Sequence, residues 1–264
     1  MSFTIGVLKE TAADETRVAI TPEIAKKLTQ LNVVIIMEKG AGSLSNFLDE
    51  EYEGVNFDTA SEVLKKSNLL LAVQPITAEQ SNLLGKNNYV VGMIFGHLNK
   101  KTVNSLKTNE QTSFAMELMP RISRAQSMDV LSSQAAAAGY QAVLIAANTL
   151  DKFFPMLTTA AGTIRPAQIL IIGAGVAGLQ AIATAKRLGA IVKGYDVRSA
   201  TKEQIESLGA KFVETGVSAE GKGGYARELT DEEKLAQQDA LEKEIANCDV
   251  VISTAAIPGK PAPK

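Results

Sequence analysis

The run from Ala167 to Ala185 carries no charge, and its length would just span a bilayer as a helix. Its composition says otherwise. The β-branched residues gather at the front, in ILII (169–172), and the helix formers at the back, in LQAIATA (179–185). Between them stands GAGVAG (173–178), three glycines at G-x-G-x-x-G spacing. A membrane helix has no reason for such a split, whereas a buried strand feeding a tight turn and then a helix does. In that reading Gly173 allows the turn, Gly175 lets a pyrophosphate approach the backbone, and Gly178 lets the helix pack against the strand. The helix start, at Val176, offers N–H groups and a partial positive charge to phosphates. Asp196 ends the next predicted strand, AIVKGYD (190–196), where a carboxylate can accept hydrogen bonds from adenosine ribose hydroxyls. Together these features read as a dinucleotide site. Asp196 favours NAD over NADP because it would repel a 2′-phosphate. Arg198 is the counter-argument, either a holder of that phosphate or a solvated residue near the adenine.

Around this unit the chain alternates strand and helix, as a parallel sheet covered by helices requires. FTIGVL, VVIIME, NLLLAVQ, YVVGMI and TSFAMEL read as strands in the first half. Between them lie four helical segments. Thr21 and Pro22 mark the start of the first, and Thr77 with Gln80 forms a capping box at another. Past Pro120 a polar stretch, RISRAQSMDVLSS, gives way to an alanine-rich helix and then to PMLTTAAGTIRP, a linker or irregular hairpin. The expected division is an N-terminal α/β domain over 1–145, a linker region over 146–166 and a Rossmann domain over 167–264. In that last domain Thr201 with Gln204 and Thr230 with Glu233 mark helix starts, and Leu235, Leu241 and Ile245 are in phase for one buried face. The fold class is α/β, with two mostly parallel sheets and helices on both faces of each. Only four strands are legible after Ala167, where a doubly wound dinucleotide domain has six. The expectation is a second domain left incomplete at its C-terminal end by truncation.

Composition narrows the function. The 264 residues carry a net charge of −2, with no basic excess for a nucleic-acid backbone. One cysteine, Cys248, and one histidine, His97, argue against a disulfide framework and a zinc site, so no metal is expected. No signal-like segment opens the chain.

Several groups invite a chemical reading beside a plain one. His97 follows a predicted strand, as a general acid/base or an ordinary loop histidine. Arg121, Arg124, Gln126, Ser127, Asp129, Ser132 and Ser133 crowd into thirteen residues, as a helix start with solvated arginines or as a wall facing a nicotinamide. The loop over 215–229 sets four glycines around Tyr225, as a mobile lid or a disordered excursion. Lys9, Glu10 and Arg17 are surface charges or a carboxylate site. Cys248 precedes a buried strand and reads as inert.

MELMPRISRAQSMDVLSSQAAAAGYQAV, ILIIGAGVAGLQAIATAKRLGAIVKGYDVR, GGYARE and DVVISTAAIPGKPAPK resemble the NAD(H)-binding domain I of proton-translocating NAD(P) transhydrogenase α subunits. That family belongs to a superfamily with alanine dehydrogenase. The resemblance covers the whole chain. It implies a domain that binds NADH and passes a hydride to NADP+ held by a separate NADP(H)-binding domain, coupled to a proton-translocating membrane domain. It places the domain on the cytoplasmic side of the inner membrane, held there by partners, and implies a homodimer. Arg121, Gln126, Asp129 and Ser132 would surround the nicotinamide, with Gln126, Ser127, Met128 and Asp129 as the binding segment. Val176 would lie at the glycine turn with Gly173, Gly175 and Gly178. Asp196, Val197 and Arg198 would hold the adenosine end. Gly224 and Tyr225 correspond to a mobile loop, and Tyr225 joins the catalytic set.

The resemblance leaves two alternatives. In alanine dehydrogenase, oxidising L-alanine with NAD, an arginine and a histidine fall where this chain has Arg17 and His97. Where that family has a substrate-binding lysine, this chain has Gln74, which removes a carboxylate partner. The other alternative is an NAD-binding module without catalysis.

Overall fold

A computed structural model of the chain describes residues 3–120, 122–217 and 229–255. They form two compact units, Met1–Val130 and Leu131–Lys264.

The first unit is wound around one parallel sheet of six strands. These are β1 (Thr4–Val7), β2 (Val34–Glu38), β3 (Val55–Asp58), β4 (Leu69–Leu71), β5 (Tyr89–Gly92) and β6 (Thr112–Ala115), in the order β3-β2-β1-β4-β5-β6. Four helices connect them: α1 (Pro22–Thr29), α2 (Ala60–Lys66), α3 (Ala78–Leu84) and α4 (Lys100–Thr108). The order is that of a doubly wound sheet, with chain direction reversing between β1 and β4. Successive residues of β2 face opposite layers: Ile36 joins a core with Leu8, Val63, Leu70 and Val90, while Ile35 and Met37 join one with Val7, Ile20 and Tyr52. This two-sided burial is why the inner strands are apolar without alternation. Thr21 caps α1 with Pro22 behind it, and Thr77 and Gln80 complete a reciprocal box on α3. Strand β3 is absent from the sequence reading. It is a four-residue edge strand of mixed polarity, VNFD, with no apolar run to reveal it.

The second unit opens with α5, Val130–Thr149, so residue 145 falls inside a continuous helix. Among the described residues α5 is long and apolar enough to cross a membrane by length and composition. It nevertheless packs on its own unit. Val143 is fully buried in the core of Ile169, Ile171, Ala181 and Ile182, and Gly139 comes so close to α6 (Val176–Arg187) that a Cβ there would lie 2.0 Å from the Ala177 carbonyl oxygen. A hairpin of β7 (Leu157–Thr159) and β8 (Gly162–Ile164) follows, occupying part of the stretch read as linker or irregular hairpin.

A four-stranded parallel sheet completes the unit: β9 (Gln168–Ile172), β10 (Ile191–Tyr195), β11 (Lys211–Phe212) and β12 (Val250–Ser253), in the order β11-β10-β9-β12. It repeats the first four positions of the other sheet, including the reversal between β9 and β12. Ile169 and Ile171 face one layer, and Leu170 faces the other with Tyr195 and Val213. Helices α7 (Lys202–Ser207) and α8 (Asp231–Ile245) complete it. Thr230 and Glu233 cap α8 as read. Thr201 does not cap α7: its hydroxyl donates to the Arg198 carbonyl at 2.8 Å, and its backbone is already helical. The buried face expected for α8 is also corrected. Leu235 and Ile245 are exposed, and only Leu241 reaches the core beside Leu170 and Tyr195.

Candidate functional site

The glycine turn links β9 to α6 at the carboxyl end of the sheet, beside the reversal in strand order. Ligands of open α/β sheets settle in such a crevice. Gly173 adopts φ +95°, a left-handed conformation that glycine takes without strain. Its N–H donates to the Tyr195 carbonyl at 2.7 Å, which ties the turn to β10. A Cβ on Gly178 would lie 1.7 Å from the Gly173 carbonyl oxygen, so the third glycine is what lets α6 begin so close to the turn. Gly175 is different. It is exposed, it precedes the first helical residue with no side-chain cap, and a Cβ there would meet nothing within 4 Å. Open space therefore borders the first turn of α6, where N–H groups lack intrahelical partners and the helix dipole favours an anion. Val176, the first helical residue, is 45% exposed at this surface.

Asp196 follows β10 and sits against the turn. Its Oδ2 accepts the Ala174 N–H at 2.7 Å, and its Oδ1 accepts the Arg198 N–H at 2.9 Å. The Arg198 guanidinium spans the same carboxylate, Nε to Oδ1 and Nη2 to Oδ2, each at 2.8 Å. Burial works to raise the Asp196 carboxyl, but Arg198 and the two amides outweigh it and hold it below the usual carboxylate range. The group is an anion at neutral pH, already fixed at the edge of the turn. Val197, between them, is half-buried against the Leu170 and Tyr195 cluster.

The polar stretch before α5 divides differently. Ser123–Met128 forms a 3-10 helix on which Arg124, Gln126, Ser127 and Met128 are exposed. Asp129 is half-buried at its end and donates its N–H to the Gln126 carbonyl at 3.2 Å. Ser132 is half-buried in the first turn of α5, and Ser133 is exposed. Arg121, Gly224 and Tyr225 lie outside the described residues.

The remaining candidates occupy the first unit, apart from Cys248. His97 is exposed after β5. Arg17 grips Glu15 at two points, Nε to Oε1 at 2.8 Å and Nη2 to Oε2 at 2.6 Å, and Gln74 Nε2 donates to that same Oε2 at 2.6 Å. Glu10 accepts the backbone N–H groups of Val73 and Gln74, and the Lys9 N–H donates to Glu38. Arg17 is thus engaged by the chain's own carboxylate. Cys248 is half-buried, and burial pushes its thiol up, away from a reactive thiolate.

Sequence reasoning missed Glu15 and Thr254. Thr254 follows β12, which pairs with β9 so that Ser253 stands opposite Ile172. That register brings the Thr254 hydroxyl to the Gly173 carbonyl, 2.9 Å away. Nothing local in the sequence signals it, because the partner is on another strand.

Comparison with known proteins agrees with this architecture. Residues 6–138 match the family described as alanine dehydrogenase/PNT, N-terminal domain, and residues 142–264 match its C-terminal domain. An NAD(P) transhydrogenase subunit alpha chain of Rhodospirillum rubrum is 48% identical over 98% of this chain and 71% of its own length. The chain belongs to the NAD(P) transhydrogenase α-subunit family. A crystal structure of transhydrogenase from Sinorhizobium meliloti superposes with a TM-score of 0.86 at 43% identity, over 98% of this chain and 72% of that one. Alanine dehydrogenase of Mycolicibacterium smegmatis is more distant, 27% identical over 98% of this chain and 66% of its own.

Proposed function

We propose that this chain binds NAD(H) at the glycine turn and serves as the NAD(H) side of a proton-translocating transhydrogenase. The observation that carries the proposal is Asp196, an anion fixed at the edge of an open helix N-terminus. The residues present fit the cofactor: Gly175 leaves space for a pyrophosphate, the first amides of α6 can donate to it, and Asp196 can accept from ribose hydroxyls. Bound there, NADH supplies a hydride for NADP+ held on a separate NADP(H)-binding domain.

The chain's own task is then to bind and orient. Direct transfer between two nicotinamides needs no general acid or base, only alignment and exclusion of water. Gln126, Ser127, Met128, Asp129 and Ser132, with Arg121, are proposed to hold the nicotinamide end. Val197 and Arg198 join Asp196 at the adenosine end, and Gly224 and Tyr225 are proposed to cover the site. The names of the relatives as α subunits support partners that include a membrane proton-translocating domain, which would hold this chain at the cytoplasmic face of the inner membrane, and a second copy. Amino-acid oxidation is disfavoured, because Glu15 already occupies Arg17 and Gln74 offers no ammonium.

Titration with NADH and with NADPH, followed by nucleotide fluorescence, tests the assignment, and the chain's lack of tryptophan keeps its own background small. Saturable NADH binding with NADPH rejected is the expected result. Preference for NADPH, or binding of neither, would overturn it. Hydride exchange with an added NADP(H)-binding partner tests the catalytic half.

A further inference from the structure

The peptide between Gly173 and Ala174 is held at both poles. Its N–H, on Ala174, donates to Asp196 Oδ2 at 2.7 Å. Its carbonyl, on Gly173, accepts from the Thr254 hydroxyl at 2.9 Å. The hydroxyl also lies 3.2 Å from the Ile172 carbonyl, but that oxygen already takes the Thr254 backbone N–H at 2.7 Å. A hydroxyl has one proton to give. The Gly173 carbonyl, nearer and without a second donor from Thr254, is its natural acceptor.

The glycines make room for this contact. A Cβ on Gly173 or on Gly178 would lie 2.9 Å from Thr254 Oγ1. Two of the three motif glycines thus accommodate the end of β12 as well as the packing of α6 on β9.

The electrostatic consequence follows from peptide geometry. In a trans peptide the C=O and N–H point in opposite directions, so anchoring both fixes the rotation of the plane. A phosphate cradle needs donors facing the anion and carbonyl oxygens turned away from it. Gly173 has no Cβ to resist a peptide flip, so the restraint has to come from outside the turn. Asp196 supplies it from the β10 side and Thr254 from the β12 side.

We infer that Thr254 is a positioning residue for the pyrophosphate of the bound dinucleotide, acting through the Gly173 carbonyl. The inference rests on the NAD(H)-binding reading above. It separates two variants of similar shape. Thr254→Val keeps the volume and removes the donor, whereas Thr254→Ser keeps the donor.

The test uses the full chain with NADH, ADP-ribose and adenosine as probes. Thr254→Val is expected to weaken NADH and ADP-ribose about tenfold, the size of one lost hydrogen bond, and to leave adenosine, which has no phosphate, unchanged. Thr254→Ser is expected to stay within about twofold of the parent, which a purely packing role would not predict. Thr254→Val binding NADH like the parent overturns the inference, as does an equal loss for adenosine. If Thr254→Val does not fold, amide exchange on the parent decides. NADH should slow exchange at Thr254 together with Gly175 and Val176, and slowing at Val176 alone overturns the inference. A parent chain that binds no NADH overturns both this inference and the proposed function, whereas failure of Thr254→Val to differ from the parent overturns the inference alone.

Discussion

Arg198 closes on Asp196 at two points, with both contacts at 2.8 Å. The pair makes one residue's role depend on the other. While Asp196 holds the guanidinium, Arg198 is turned toward a carboxylate and not toward a ligand phosphate. Asp196→Ala should therefore do two things. NADH affinity should fall by about tenfold to a hundredfold, the range for hydrogen bonds to a charged group. NADPH affinity should rise, because the carboxylate that repels a 2′-phosphate is gone and Arg198 is released to meet it. Parallel fluorescence titrations give the ratio. A variant that still rejects NADPH would show that Asp196 is not the selector.

Two glycines of the same motif should answer differently to one methyl group. Gly178→Ala drives a Cβ into the Gly173 carbonyl, a backbone contact with no flexible side chain to yield, and should unfold or strongly destabilise the second unit. Gly175→Ala meets nothing within 4 Å and should leave the melting temperature near that of the parent. Its cost should appear in binding, as a loss of about tenfold or more in NADH affinity where the backbone would face phosphate. Calorimetry and titration on the two variants separate packing from recognition.

Gly139→Ala tests how α5 is seated. The added Cβ would lie 2.0 Å from the Ala177 carbonyl oxygen, so α5 and α6 must part. A loss of about 1–3 kcal/mol is expected in urea unfolding, the usual range for overpacking. A neutral result would show that α5 does not need its close seat on α6.

The first unit carries a pH signature. Hydrogen bonding from Arg17, against a smaller opposing effect of burial, lowers the Glu15 carboxyl from 4.5 to about 2. A carboxylate depressed in the folded state contributes stability above its unfolded value and loses it as the pH falls through its folded value. The contribution should be complete above about pH 5 and drain away between 4.5 and 2. Glu15→Gln should thus be less stable than the parent at neutral pH, and the two should converge below about pH 3. Denaturant midpoints at both pH values check the sign, and a difference that does not shrink in acid would remove Glu15 from the account.

How much of this the sequence disclosed depends on distance along the chain. The caps at Thr21, Thr77 and Thr230 join groups three residues apart, and each was legible. The glycine turn and Asp196 were legible because a strand, a turn and a second strand follow in order. Thr254 was not, since its partner lies on a strand more than eighty residues earlier in the chain. The pairing of Arg17 with Glu15 was local but hidden, because a nearby carboxylate is as often solvated as bound. Edge strand β3 failed for a different reason: half of its surface needs no apolar residue, so no pattern marks it.

Helix α8 has no buried residue. Its attachments are Leu241 against the sheet, an ion pair from Glu244 to Lys193, and the Gln237 amide on the Tyr195 hydroxyl. Such a helix can open locally at far less cost than the unit it rests on can unfold. In amide exchange α8 should behave as a separate cooperative unit, exchanging long before β9. The segment that enters the helix at Thr230 is therefore tethered to the most easily released element of the second unit, and its anchorage depends on three contacts rather than on a core.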